Sequence, residues 1–311
     1  MTRRIGLVGA RGFTGREIIR LMGQRDDLEL VFASSREFAG NLVSEIAPGA
    51  PDGLKFEALA PEAVAASGVD AVILALPNGA AAPFVDAIET EAPEMVIVDL
   101  SADYRFDDGW TYGLPEIYGR KAIRKSRRLS NPGCYATAGQ LAAAPLRGYL
   151  AGDVHVFGVS GYSGAGTTPS RKNDVDALKD NLMPYALSGH IHEREMARHL
   201  GEGVRFTPHV AAFFQGIVAT VHLELSEPVS REALIGRYQE AYDGEALLEV
   251  REDIPEVTDV AGQNGAVLGG FALDESGRKL VVVCVLDNLL KGAAVQALQN
   301  LTLALDLPEF A

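Results

Sequence analysis

Ile5-Gly6-Leu7-Val8-Gly9-Ala10-Arg11-Gly12-Phe13-Thr14-Gly15 is the stretch that decides the fold of this 311-residue chain. Residues 4–8 read as a short apolar strand, and Ile18, Ile19, Leu21 and Met22 give an amphipathic helix over residues 13–23. A glycine-rich turn lies between them. Glycines there permit a tight reversal and let a pyrophosphate approach the backbone. The new helix presents unbonded N–H groups and the positive end of its dipole. A purely structural strand-to-helix turn would use the same glycines. The strand before and the helix after favour a dinucleotide, with Gly9, Arg11, Gly12, Phe13, Thr14 and Gly15 as its candidate contacts.

The alternation continues downstream. Strands are expected over residues 28–33, 69–76 and 95–100, with an Ala-rich helix over 79–90. Their continuous apolar runs suit strands covered on both faces of a parallel sheet, so the first part of the chain reads as a Rossmann-type α/β domain. An NAD site would place Asp or Glu at the end of the second strand to hold the ribose. This chain has Ser34-Ser35-Arg36, whose hydroxyls and guanidinium suit a 2′-phosphate, so NADP is the expected cofactor. Pro77-Asn78, at a strand's carboxyl end, marks either the cofactor edge or a plain turn.

After about residue 150 the texture changes. Longer strands are expected over 153–160, 216–225, 267–273 and 279–286, the last two joined by a hairpin at Asp274-Glu275-Ser276-Gly277. Helical spacing appears over 171–182, 192–200 and 230–242. This predicts an α+β catalytic domain with a mixed or antiparallel sheet. Residues 288–305 carry apolar residues at helical spacing and are expected to return to the first domain. The proposed division is an NADP-binding domain of residues 1–133 with 288–311, and a catalytic domain of residues 134–287.

Composition narrows the partners. There are 28 Lys and Arg against 42 Asp and Glu, a formal charge of −14, which disfavours nucleic acid and anionic membranes. The longest apolar runs fall far short of the roughly 20 residues that span a bilayer. The basic start of the chain precedes an apolar run that is too short for a signal peptide and is broken by Arg11. Only two cysteines occur, Cys134 and Cys284, which suits a reducing cytoplasm.

The two cysteines read differently. Cys284 lies in the apolar run Val281-Val282-Val283-Cys284-Val285-Leu286, a buried strand without chemistry. Cys134 follows Ser130-Asn131-Pro132-Gly133 and opens an Ala-rich helix, where N–H groups and the dipole favour a thiolate. A nucleophile needs a base, and His190-Ile191-His192-Glu193-Arg194-Glu195 offers candidates. Two residues apart, His190 and His192 cannot share a helix face, but both can point to one site from an extended segment entering a helix. A metal could use the two histidines with a Glu of the same segment and with His199, yet no second ligand cluster has a recognisable spacing, so no metal is expected. His155, His209 and His222 read as structural, and the basic run Arg120 to Arg128 as a solvated face.

These segments together resemble the N-acetyl-gamma-glutamyl-phosphate reductase family, in the aspartate-semialdehyde dehydrogenase-like superfamily. The resemblance rests on the turn at 9–15 and on Asp99 to Phe106, Tyr112 to Glu116, Ser130 to Tyr135 and Ser160 to Gly166. It continues through His-x-His-x-x-Glu at 190–195, Phe206 to His209, Gly216 to Thr220 and Asp287 to Ala293. It implies that Cys134 is the nucleophile and His190 the acid/base, with His192 and Glu195 beside it. Substrate contacts are then expected from Arg105, Asn131, Ser160, Gly161 and Gly164, with backbone N–H groups of residues 160–166 facing the substrate. Arg105 could instead pair with Asp103 or Asp107. Asn288 would meet the nicotinamide amide or cap the last helix. Many relatives have Arg-Lys directly after Ser-Gly-Ala-Gly, and Arg before Gly-Ile. Here Thr167-Thr168-Pro169-Ser170 precedes Arg171-Lys172, and Gln215 precedes Gly216.

The implied activity is NADPH-dependent reduction of N-acetyl-L-glutamyl 5-phosphate to the 5-semialdehyde, through a Cys thioester, in arginine biosynthesis. The substrate would be a small acyl phosphate and the enzyme a homo-oligomer, a dimer or tetramer. One alternative is the same reaction on an aminoadipyl or glutamyl phosphate held by a carrier protein. A Cys/His hydrolase would need no dinucleotide turn, and an NADP-sensing redox switch would need no acid/base pair.

Overall fold

Strand β1 (Arg3–Val8) seeds the first sheet, with Ile5, Leu7 and Val8 buried. The structure, a computed structural model, describes residues 2–201 and 203–311. β2 (Leu28–Ser34), β3 (Phe56–Glu57), β4 (Ala71–Leu74), β5 (Val96–Asp99), β6 (Thr111–Tyr112) and β7 (Arg128–Ser130) complete that sheet in the order β3-β2-β1-β4-β5-β7-β6. Every pairing is parallel. All four residues of β4 and of β5 are buried, as a strand covered on both faces requires. Each Val, Leu or Ile so withdrawn from water contributes about 1.5–3 kcal/mol.

The second sheet is mixed. β8 (Val154–Gly161), β9 (Leu182–Pro184), β10 (Val204–Ala211), β11 (Ile217–Glu224), β12 (Leu248–Val250), β13 (Ala266–Leu273) and β14 (Lys279–Leu286) run in the order β12-β13-β14-β11-β8-β10-β9. β8 pairs in parallel with β10 and antiparallel with β11. The Asp274–Gly277 turn joins β13 and β14 as expected. The Asp274 carboxylate accepts from Ser276 Oγ and from the N–H groups of Arg278 and Lys279. Cys284 is buried in β14, where burial pushes its thiol up to about 12.

The chain forms two compact units. One holds residues 1–132 and 293–310, and the other holds residues 133–292 with Ala311. In the first, the Val295–Ala304 helix is buried over its first nine residues. Asn300 Nδ2 donates to Gly113 O at 2.9 Å and to Asn131 Oδ1 at 3.0 Å. The basic run is less a solvated face than a set of ion pairs: Arg120 meets Glu309, Arg124 meets Asp306, Arg127 meets Glu94 and Arg128 meets Glu89.

Besides the short strands β3, β6 and β12, which the sequence reading does not anticipate, three longer stretches differ from it. Residues 171–182 do not form one helix. Asp174 caps the single turn Val175–Leu178, Asp180 takes a positive φ, and Leu182–Pro184 pairs with β10 as an edge strand. Strand β10 itself was not anticipated, because Pro208 interrupts an otherwise alternating Val204-Arg205-Phe206-Thr207 pattern. The expected final helix begins instead as a π-helical turn over Leu290–Ala294.

Candidate active site

The first glycine turn divides three tasks among three glycines. Gly9 has φ +84°, and a Cβ there would lie 2.2 Å from Ala75 O, so only glycine fits between β1 and β4. A Cβ on Gly15 would meet the Ala10 backbone at 2.8 Å, which makes it the contact between helix and turn. A Cβ on Gly12 would find nothing closer than 4.0 Å. Gly12 is the N-cap of the ten-residue Phe13–Met22 helix, and no side chain caps it. The open space and the uncapped N-terminus fit a pyrophosphate.

Around this turn the sequence-predicted contacts take definite places. Arg11 pairs with Glu37, and Phe13 lies under the Arg16 guanidinium. Thr14 is half-buried and Arg36 is exposed. Ser34 and Ser35 are buried. Their hydroxyls accept from Leu59 N–H and Phe38 N–H, so both help to set the loops beyond β2. Asn78, exposed beside Pro77, accepts from Ala102 N–H at 3.0 Å through Oδ1.

Arg105 and Asn131 belong to the same unit and are both buried. Arg105 donates to Asn131 O at 2.9 Å and to Leu100 O at 2.8 Å, tying the segments after β5 and β7 together. Asn131 donates to Ala293 O and accepts from Asn300. Two expected substrate contacts thus brace the segment leading to Pro132.

In the second unit, Cys134 is the first residue of the ten-residue Cys134–Ala143 helix, with Gly133 as N-cap. The thiol carbon is fixed on several sides. Glu195, fully buried, accepts from Gly133 N–H at 2.9 Å. Thr137 Oγ1 donates back to Gly133 O. A Cβ on Gly292 would lie 2.7 Å from Cys134 Cβ, so the backbone of the π-helical turn abuts Cys134. That turn is pinned by Asp287, whose carboxylate accepts from Leu289, Leu290 and Gly262 N–H groups, and by a Gly292 N–H to Asp287 O bond. Such π-turns recur at functional sites.

The histidines sit on the neighbouring helix. His190 is the N-cap of Ile191–Leu200, and its Nδ1 accepts from His192 N–H at 3.1 Å, which leaves Nε2 for chemistry. Burial, with the Lys172 ammonium adding to it and Glu193 opposing, pushes the His190 imidazole down to about 4. It is therefore neutral near pH 7, and with Nδ1 accepting, its one proton sits on Nε2, which can donate it. The His192 ring lies 4.8 Å from that of His190 and 6.0 Å from that of Tyr135. Glu193 accepts from Phe206 N–H, and Tyr135 donates to His209 O at 2.6 Å, so both helices are moored to β10.

Tyr185 and Lys172 stand in the neighbourhood of His190 although the sequence reading does not count them among the site residues. The Tyr185 ring lies 5.7 Å from His190, and burial with the nearby charge of Cys134 holds its phenol above the usual range. Lys172 Nζ lies 4.8 Å over the Tyr185 ring. The loop carrying it is braced by Asn173, which donates to Gly166 O and Thr168 O and accepts from Ser170 N–H. The Thr167–Ser170 segment thus does not remove the cation from the neighbourhood of His190.

The expectation for residues 160–166 needs correction. Tyr162–Ala165 is a short 3₁₀ helix, and the N–H groups of Gly161, Tyr162 and Ser163 bond to Gly216, Phe213 and Phe214 carbonyls. Those three are spent within the fold rather than offered to substrate. Ser160 Oγ donates to Gly161 O, and Gly164 packs 2.9 Å from Ser160 Oγ as measured from a notional Cβ. Asn288 caps no helix: it accepts from Gly216 N–H at 2.7 Å and donates to Ser163 Oγ at 2.9 Å, locking this loop to the start of β11. Among the described residues no three His, Cys, Asp or Glu side chains converge as metal ligands, and no helix is long and apolar enough to cross a membrane.

The fold and these two turns define a semialdehyde dehydrogenase architecture. Residues 4–126 match the family model for the semialdehyde dehydrogenase NAD binding domain, and residues 134–288 match that for the semialdehyde dehydrogenase dimerisation domain. A probable aspartate-semialdehyde dehydrogenase from Pseudomonas aeruginosa shares the fold, with a TM-score of 0.78 at 21% identity over 98% of this chain and 99% of that one. The chain is 56% identical over 305 residues to the N-acetyl-gamma-glutamyl-phosphate reductase of Stenotrophomonas maltophilia, covering 98% of this chain and 96% of that one. It is 56% identical over 301 residues to the enzyme of the same name from Xanthomonas campestris pv. campestris, covering 97% and 95%. The chain belongs to the N-acetyl-gamma-glutamyl-phosphate reductase family.

Proposed function

We propose that the chain reduces N-acetyl-L-glutamyl 5-phosphate to N-acetyl-L-glutamate 5-semialdehyde, with release of phosphate, as a step of arginine biosynthesis. The observation that carries this reading is Cys134 at a helix N-terminus braced by Glu195 and Gly292, with a neutral His190 capping the helix that carries Glu195. Cys134 attacks the acyl carbonyl as thiolate, phosphate leaves, and a thioester remains on the sulfur. The N-terminus of the Cys134–Ala143 helix, which no side chain caps, is suited to hold the oxyanion. When bound, NADPH supplies the hydride that turns the thioester into a thiohemiacetal. His190 Nε2 gives its proton to the acyl oxygen as the thiohemiacetal forms and takes it back as the thiohemiacetal collapses to aldehyde and frees the sulfur. Lys172 supplies local positive charge for the phosphate, which an acidic chain needs.

NADP is held at Gly9–Gly15, with the exposed Arg36 and the half-buried Arg11, which pairs with Glu37, as the cations near the end of β2 for its 2′-phosphate. In this reading the unit of residues 1–132 and 293–310 is the NADP-binding domain and the unit of residues 133–292 the catalytic domain, so Gly133 and residues 288–292 fall on the catalytic side of the expected boundaries. The dimerisation description of the 134–288 family model supports a homo-oligomer, a dimer or tetramer. Two free cysteines suit the cytoplasm. Relatives named for the acetylglutamyl substrate favour it over a carrier-bound acyl phosphate.

The test is phosphate-dependent NADP reduction with N-acetylglutamate semialdehyde. Wild type should turn over and Cys134→Ala should lose at least about 10³-fold while still binding NADP. Lys172→Met should raise the KM for phosphate about tenfold, the loss of one charge-assisted hydrogen bond. A Cys134→Ala protein with substantial turnover would exclude the covalent route, and an unchanged phosphate KM would remove Lys172 from the site.

A further inference from the structure

We infer that Glu195 is a positioning residue that sets the Cys134 turn against the histidine helix, and that it does not itself transfer a proton. The inference rests on Cys134 being the nucleophile.

Three observations carry it. Glu195 has no exposed surface, and its Oε1 is bonded to the Gly133 N–H, the residue immediately before the nucleophile. It stands on the helix that His190 caps, so one rigid element carries both the imidazole and the strap on the sulfur-bearing turn. The two helices also touch next to the strap. Met196 is fully buried, and a Cβ on Gly139 would lie 2.3 Å from its sulfur, so the Cys134–Ala143 helix must approach closely for Glu195 to reach Gly133. A carboxylate so engaged is poorly placed to accept a substrate proton. It is well placed to fix the separation of thiol and imidazole, on which a misplacement of about 1 Å costs about 10²-fold in rate.

Glu193 shows what an ordinary mooring looks like on the same helix. Its carboxylate accepts from Phe206 N–H on β10, remote in sequence from the nucleophile. Glu195 differs in being wholly buried and in holding the residue before the nucleophile.

The experiment compares Glu195→Gln with Glu195→Ala in phosphate-dependent NADP reduction. An amide oxygen still accepts from Gly133 N–H but cannot act as a base. Positioning predicts that Glu195→Gln keeps kcat within about fivefold of wild type, and that Glu195→Ala loses about 100-fold in kcat with KM for the semialdehyde and for NADP within about twofold. Iodoacetamide alkylation of Cys134 should be slowed in Glu195→Ala and near wild type in Glu195→Gln. If Glu195→Ala fails to fold, the folded Glu195→Gln decides alone. A Gln variant that binds NADP yet has lost 100-fold or more in kcat would overturn the inference, as would an Ala variant of wild-type rate. A wild-type protein without phosphate-dependent turnover would instead sink the functional reading on which the inference stands.

Discussion

Two strand-to-helix turns carry the proposed chemistry, and they are built on opposite plans. The turn at Gly9–Gly15 is left open. Its central glycine has space around it, its helix lacks a side-chain cap, and the crowded glycines lie to either side. The turn at Asn131–Cys134 is closed in. Gly133 is bonded at both its N–H and its carbonyl, and Gly292 presses on the thiol carbon. Binding a large anion calls for backbone donors with room in front of them. Holding one sulfur atom calls for constraint from several directions, because covalent catalysis depends on the orientation of that atom.

The contrast can be broken by adding single methyl groups. Gly292→Ala forces a Cβ to within 2.7 Å of Cys134 Cβ, and either the thiol or the π-turn must move. We expect kcat to fall about 10–100-fold with NADP binding unchanged, as steady-state kinetics and cofactor titration would show. Gly12→Ala meets no close neighbour, so the protein should melt as wild type does while its Kd for NADP rises about tenfold through lost approach. Equal effects of the two substitutions on kcat would mean that the turns do not differ in kind.

A smaller effect sharpens the comparison through pH. His190 and His199, both in the second unit, are pushed by burial down to about 4. The unfolded chain therefore binds more protons than the folded one as pH drops below 6.5. Stability from this source is intact above pH 6.5 and is lost on the way to about 4. Asp99, in the first unit, works the other way. Burial pushes its carboxyl up to about 6 against the bonds from Ser101, so the folded state holds the extra proton and gains stability as pH falls through 6. Melting curves between pH 7 and 5 should show His199→Gln weakening the acid loss and Asp99→Asn removing the opposing gain. Identical slopes in wild type and both variants would disprove the assignment.

Local chemistry made much of this legible in advance. The strand before Gly9, the Asp274–Gly277 hairpin and Cys134 at a helix start all depend on neighbours within a few residues. What escaped depends on partners far along the chain. Asn288 bonds Gly216 and Ser163, 72 and 125 positions away, so its role cannot be read from the residues beside it. Residues 171–182 show helical spacing, but a capped turn at Asp174, a left-handed Asp180 and pairing of Leu182–Pro184 to β10 outweigh propensity. Lys172 looked displaced by four extra residues, and only the brace from Asn173 returns it to Tyr185.

The buried Val295–Ala304 helix has a consequence for synthesis. Its side chains complete the interior of the unit whose seven strands were all made before residue 131, including the bonds from Asn300 to Gly113 and Asn131. On the ribosome that unit must wait, unfinished, while the whole of the inserted second unit is translated. The later unit, encoded as one continuous segment, is free to mature first, which reverses the usual order of N-terminal before C-terminal folding.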